Sequence, residues 1–249
     1  MDLTTVPALL AIAAIFMLAG LVKGVIGMGL PTVAIGLLGL MMLPAQAAAL
    51  LIVPSLVSNL WQAAVGGHAR ELTARLWPLF VGLAIGSAIG ALYLAHRSAT
   101  SATMWLGIAL FVYALLGLCK VDFNVPARGE GPIGLVCGVF TGAIAVTTGV
   151  FAIPMVPYLQ GLHLDRHRLV QALGIAFTVS TVALAVALQH TGDFHADILW
   201  PSLAALVAVL FGMRLGQWVR GRIPPATFRL CFFIGLLALG AHLTLRTLL

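Results

Sequence analysis

The stretch of this 249-residue chain best suited to chemistry is G-L-V-K-G-V-I-G-M-G-L-P, residues 20–31. Within a long apolar sequence it gathers Gly20, Gly24, Gly27 and Gly29 around Lys23 and ends on Pro31. Glycine and proline are poor helix-interior residues, and an ammonium in hydrocarbon is costly. Together they predict a helix interrupted at membrane depth, where irregular backbone persists only if protein buries it or it lines a cavity. A helix restarting at Pro31, with Thr32 beside it, would aim unpaired N–H groups and partial positive charge at the break. Lys23 would add a full charge, and the glycines would let backbone approach a ligand closely. The chemistry is anion binding.

A second interrupted stretch follows in the other half, Ala145-Val146-Thr147-Thr148-Gly149. Thr147 or Thr148 can act there as an N-cap or donate a hydroxyl, and Pro154 and Pro157 predict a short or irregular helix beyond. Two facing helix N-termini, one lysine and two threonines would form a cage for a small oxyanion. Ser55, Ser58, Asn59 and Gln62 share one helical face at i, i+3, i+4 and i+7, either lining a pore or joining helices. Gln171, Thr178 and Thr181 form a weaker counterpart. Glycines three or four residues apart also serve close helix packing, the reading given to Gly82, Gly86, Gly90, Gly212 and Gly216. Lys23 has its own alternative, snorkelling or pairing with a helix C-terminal carbonyl. His68 and His163 are read as loop residues, with proton coupling as the alternative.

Catalytic patterns are missing from the sequence. There is no HExxH, GxSxG or Walker A motif, and Asp122, Glu130, Asp165, Asp193 and Asp197 all fall in expected loops. Cys119, Cys137 and Cys231 are isolated in apolar surroundings and read as small hydrophobes, not metal ligands. Neither cofactor nor metal is expected, and the chain is not read as an enzyme.

The elements that would position these groups are membrane helices. Only 8% of residues are charged and the mean hydropathy is +1.11, against roughly 25% charged in a soluble domain. Charge-free runs such as Gly24 to Ala69, Leu76 to His96 and Leu169 to Gly192 each hold one or two spans of about 20 residues. The net charge of +6 is scattered through short loops, a topology signal and not a nucleic-acid surface. Expected helices cover residues 7–22, 31–43, 45–65, 76–95 and 101–119 in the first half. No basic region precedes the first apolar stretch, so a cleaved signal peptide is not expected.

The chain reads as a duplication: residues 1–119, a polar linker at 120–130, and residues 131–249. An offset of 118 lays Gly20, Gly24, Ala34 and Ile35 on Gly138, Gly142, Ala152 and Ile153. An offset of 123 lays Trp77-Pro78 on Trp200-Pro201 and Ser55 on Thr178. Equivalent loops differ in charge: Arg70 and Arg75 at 66–75 against Asp193 and Asp197 at 190–198, and Arg97 at 96–100 against Arg220, Arg222 and Arg229 at 219–229. Because cytoplasmic loops collect Lys and Arg, the halves are expected to be inverted in the membrane. Each would hold a broken or re-entrant helix pair followed by three spanning helices, an all-α polytopic protein.

G-L-V-K-G-V-I-G-M-G-L-P-T-V-A-I-G at 20–36, its repeat at 138–154, and A-A-A-L-L-I-V-P-S-L-V-S-N at 47–59 resemble the TauE/SafE family of membrane permeases. The resemblance covers nearly the whole chain. It implies secondary transport, commonly export, of sulfite, sulfonates such as sulfoacetate and related sulfur oxyanions across the bacterial inner membrane. A proton or sodium ion would be the coupling partner. The chain departs from the family's usual run of glycines followed by proline: Gly27-Met28-Gly29 is followed early by Pro31, and Thr147-Thr148-Gly149 replaces bare backbone with hydroxyls. Alternatives are a permease for a small carboxylate or, from other classes, an intramembrane enzyme or a membrane-complex assembly factor.

Overall fold

Runs of Leu, Ala, Val and Ile with few breakers become helices because a bilayer offers backbone groups no other partner. The computed structural model describes residues 5–94, 99–119, 123–191 and 198–248, and all regular structure among them is helical. In order these are α1 (Val6–Ile26), α2 (Leu30–Leu38), α3 (Pro44–Ala64), α4 (Ala69–Leu94), α5 (Ala99–Leu118), α6 (Glu130–Thr148), α7 (Met155–Gly161), α8 (Arg166–Thr191), α9 (Leu199–Arg220) and α10 (Pro225–Leu248). Among the described residues eight helices, all but α2 and α7, are long and apolar enough to cross a membrane. The chain is therefore a multi-span α-helical membrane protein. Arg97, Asp193 and Asp197 of the loop-charge comparison, and Asp122, lie outside the described residues.

The first break falls later than the sequence suggests. α1 runs through Lys23 and Gly24 to Ile26 and closes at Gly27, whose N–H donates to Lys23 O at 2.7 Å. Gly27 and Gly29 adopt φ of 83° and 95°, values that only glycine takes without strain. α2 restarts one residue before Pro31 and stops at Leu38, short of the expected 43. In the other half α6 continues to Thr148, φ at Gly149 is 74°, and residues 149–154 separate it from α7. α1 and α6 are thus each long and apolar enough to span alone, and a break separates each from the short helix that follows it.

Lipid tails give helices no hydrophobic reason to associate, so close contact decides packing. The glycines provide it. Gly20 and Gly24 of α1 lie on the backbone of Val209 and Met213 in α9, and a Cβ on Gly216 would stand 2.9 Å from Gly24 Cα. The same arrangement joins α4 to α6: Gly82 and Gly86 meet Leu135 and Val139, while Gly138 and Gly142 meet Leu79 and Leu83. Gly82 abuts the Leu135 carbonyl as Gly212 abuts that of Met17. Matching contacts therefore lie 118 residues apart on α1 and α6, and 130 apart on α4 and α9. The Trp-Pro offset of 123 is not the packing register, because Trp77-Pro78 sits about two turns inside α4 and Trp200-Pro201 in the first turn of α9.

Side-chain contacts fix which helix ends share a face. Lys23, late in α1, reaches Ser58 and Asn59, late in α3. Gln62 of α3 reaches Val170, just inside α8, and Gly24 meets Gln217 near the end of α9. Arg75 of α4 forms a two-pronged ion pair with Glu130 at the start of α6, at 2.6 and 2.9 Å. One end of the bundle therefore collects the C-termini of α1, α3 and α9 with the N-termini of α4, α6 and α8. Arg246, donating to Leu40 O at 3.2 Å, marks the other end.

Candidate functional site

Lys23 is buried, with 3% of its surface exposed. Its ammonium donates to Ser58 Oγ at 3.0 Å and to Asn59 Oδ1. Behind these acceptors the protons run in one direction. Ser58 Oγ donates to Ser55 O (3.1 Å), Asn59 Nδ2 to Ser55 Oγ (3.0 Å), Ser55 pairs with Thr181 Oγ1 (3.1 Å), and Thr181 donates to Phe177 O (2.7 Å). The i, i+3, i+4 stripe on α3 thus makes one network from α1 through α3 to α8. Pro54, inside α3, lacks the N–H that would bond Leu50 O, loosening the helix one residue before Ser55.

Among the described residues no carboxylate pairs with Lys23. A lysine at a membrane helix centre costs about 2.5–3.5 kcal/mol, an upper bound for Lys23 in the last turn of α1, and a hydrogen bond from a charged donor returns about 1.5–3 kcal/mol. Two such bonds hold the cation in place without neutralising it. The charge remains available to a ligand.

Lys23 lines a cavity of ≈ 230 Å³ between α1, α3, α8 and α9. Lys23, Gly24, Gly27 and Gln62 line one part, while Arg166, His167 and Arg220, with Trp61, Val65, Gly66, Val170, Met213 and Gln217, complete it. All four ionisable groups are basic. Gln62 shapes the wall by donating its amide to Gly27 O (3.0 Å) and Val170 O (2.7 Å). Gln171 holds the neighbouring turn: its amide donates to Ala63 O at 2.8 Å and its carbonyl accepts from His68 N at 3.0 Å.

The structure brings together Lys23, Ser55, Ser58, Asn59 and Gln62, with Gly24 and Gly27 beside them. It places the remaining candidates elsewhere. Gly29, Pro31 and Thr32 are buried at the start of α2, where Gly29 faces Val22 and Phe232. Gly24 also packs on α9, where a Cβ would stand 2.4 Å from Met213 O. Thr147 and Thr148 do not cap α7, whose N-cap is Pro154. Both hydroxyls donate back to α6, Thr148 to Ile144 O at 2.7 Å, and Thr148 Oγ1 accepts from Val150 N. Gly149 packs on Ile35 of α2, and Pro154 follows the cis Ile153–Pro154 bond. Thr178 bonds Gly174 O and lines a separate, largely apolar cavity between α4 and α8.

Sequence reasoning missed Arg166, His167, Arg220, Gln217 and Trp61. In the sequence Arg220 is one of the loop charges that signal topology, and the convergence of Arg166 and Arg220 on one cavity needs the packing of α8 and α9 against α1 and α3. The position matching Lys23 in α6 is Thr141, a buried hydroxyl without a hydrogen-bond partner among the described residues. The cation belongs to one half only.

A family model described as sulfite exporter TauE/SafE matches residues 12–243. The chain belongs to the TauE/SafE family. No curated protein and no solved structure matches it. Membership makes this TauE/SafE protein a membrane transporter of the sulfite-exporter type and not an enzyme. An anion transporter has use for an uncompensated lysine facing a basic cavity.

Proposed function

We propose that this TauE/SafE protein binds a small sulfur oxyanion, sulfite or an organosulfonate, at Lys23 and exports it across the bacterial inner membrane by alternating access. The observation that carries the reading is a buried lysine without a carboxylate partner among the described residues, lining a cavity whose other ionisable residues, Arg166, His167 and Arg220, are also basic. A volume of ≈ 230 Å³ admits sulfite or a two-carbon sulfonate and excludes a lipid headgroup with its chains.

The arginine-rich end of the bundle is the cytoplasmic one in this reading. Arg70, Arg75, Arg128, Arg166, Arg168, Arg220, Arg222 and Arg229 belong to it, against Arg246 at the other end among the described residues. The cavity then opens to the cytoplasm, where an exported anion is loaded. The halves, 1–119 and 131–249, are inverted repeats: α1 on α9 and α6 on α4 is the pairing an in-plane two-fold axis generates. An ion gradient or the membrane potential supplies the energy.

Purified protein in liposomes, assayed with labelled sulfite, sulfoacetate and lactate, tests this. Saturable flux of the sulfur anions that falls at least tenfold in Lys23→Gln is the expected result. Flux of lactate alone would move the substrate to carboxylates, and no anion flux would remove the transport reading.

A further inference from the structure

We infer that the lipid-facing side of α9 holds one phospholipid of net negative charge, its phosphate clamped between Arg214 and Arg222 across Trp218. Glycine contacts fix how α9 is turned. Val209, Gly212 and Gly216 lie against α1, so the residues two positions after each point about 200° away from it. Those residues are Phe211, Arg214 and Trp218, and all three are exposed. Arg222 lies in the turn beyond α9, four residues after Trp218, and folds its guanidinium back over the indole ring at 3.5 Å. One stripe thus carries an apolar ring, a cation, an amphipathic ring and a second cation, in order toward the arginine-rich end.

Depth makes Arg214 unusual. It stands six residues before Arg220, the last of α9, or about 9 Å inside the helix end. Arg75 lies equally far inside α4, six residues after Ala69, and Glu130 answers it with two hydrogen bonds. Arg214 has no carboxylate partner among the described residues, and the sequence has no Asp or Glu from Ile198 to Leu249. A guanidinium facing hydrocarbon at that depth snorkels toward the nearest headgroups. Arg220 does not compete for them, because it lines the cavity beside Lys23. Guanidinium meets phosphate through two parallel N–H···O bonds, and two guanidiniums without a carboxylate leave a positive charge that a zwitterionic headgroup does not neutralise. An indole settles where chains meet headgroups, and Phe211, about two turns deeper, offers an acyl chain its ring. A phospholipid with a net negative headgroup satisfies all four side chains at once. Because α9 packs backbone to backbone on α1, such a lipid also sets the depth of Lys23.

Delipidated full-length protein, titrated with phosphatidylglycerol or with phosphatidylcholine of the same acyl chains, is read by native mass spectrometry. Wild type should bind the anionic lipid at least about tenfold more tightly, since each basic residue near an anionic headgroup contributes about fivefold. Arg214→Gln combined with Arg222→Gln should bring that preference down to about threefold or less. Arg70→Gln combined with Arg128→Gln removes the same charge from exposed positions elsewhere at that end and should leave the preference intact. An equal loss in this control shows diffuse surface attraction and overturns the inference. A wild type that binds both lipids alike overturns it too, as does a dimer that the α9 variant dissolves, which would seat a second copy on the stripe. If the double variant does not fold, Arg222→Gln alone, outside the helix, should weaken phosphatidylglycerol binding about fivefold. Unchanged binding in that single variant overturns the inference as well.

Discussion

Replacing Lys23 with methionine separates a ligand-binding charge from a structural strut. The side chain keeps its length and volume but loses the ammonium and its bonds to Ser58 and Asn59. For an anion about 4 Å away in a partly hydrated cavity, a unit charge contributes about 4 kcal/mol. That corresponds to roughly 10³ in affinity at about 1.4 kcal/mol per decade. Arg166 and Arg220 line the same cavity and retain part of the attraction, so the expected loss is about 10²–10³. Without ligand the outcome differs. Relief of the ~2.5–3.5 kcal/mol burial cost offsets part of the loss of two bonds of ~1.5–3 kcal/mol each, leaving a net loss of about 1.5 kcal/mol at the midpoints and about 3.5 kcal/mol at most. Titration calorimetry with sulfite and sulfoacetate gives the first quantity, and thermal melting of the same detergent-solubilised protein gives the second. Trp61, in the cavity wall, offers a fluorescence signal for binding. Affinity unchanged within about threefold, with a large drop in melting temperature, would show that Lys23 braces helices and binds nothing.

Two further predictions concern the frame around the site. Gly86→Leu forces a side chain into the Val139 backbone and should abolish monodisperse protein in size-exclusion chromatography. Gly67→Ala meets only its left-handed φ of 77°, with nothing within 4 Å, and should cost about 1–2 kcal/mol in thermal melting. At the N-terminus of α8, the backbone N–H of Arg168, bonded at 3.0 Å, holds the Asp165 carboxyl below its ordinary range. Because the folded value is the lower one, its support is complete above the ordinary carboxylate range and fades as pH falls through the folded value. Amide exchange at Arg168 and Leu169 should therefore accelerate in acid beyond the intrinsic rate, and Asp165→Asn should remove that dependence. Identical pH profiles for both proteins would contradict the assignment.

The sequence made the class of fold plain, because 20-residue apolar runs have few alternatives in a chain with so little charge. It also pointed to Lys23 and the α3 stripe, since helical periodicity alone puts Ser55, Ser58, Asn59 and Gln62 on one face. What it could not show was partnership. Gly24 read as a helix breaker beside a lysine, yet α1 continues through it because Gly216 on α9 makes a glycine stable there. Thr147 and Thr148 read as exposed donors at a break, but α6 runs one turn further and takes their protons for its own carbonyls. The Trp-Pro repeat suggested one register, and the glycine contacts established another. Arg166 and Arg220 looked like ordinary loop charges until α8 and α9 brought them to one cavity.

The glycine contacts also bear on which parts of the protein can move. α1 and α9 touch backbone to backbone, as do α4 and α6, and each pair takes one helix from either half of the chain. Interlocked main chains cannot slide without collision, so each pair behaves as a single rod. In the alternating-access reading proposed above, the halves that gene duplication would define would then not be the pieces that swing. If the cavity closes and reopens on the far side, as that reading requires, the hinge would lie between the two rods, where α3 packs on α8, and the seam between the halves would stay stitched.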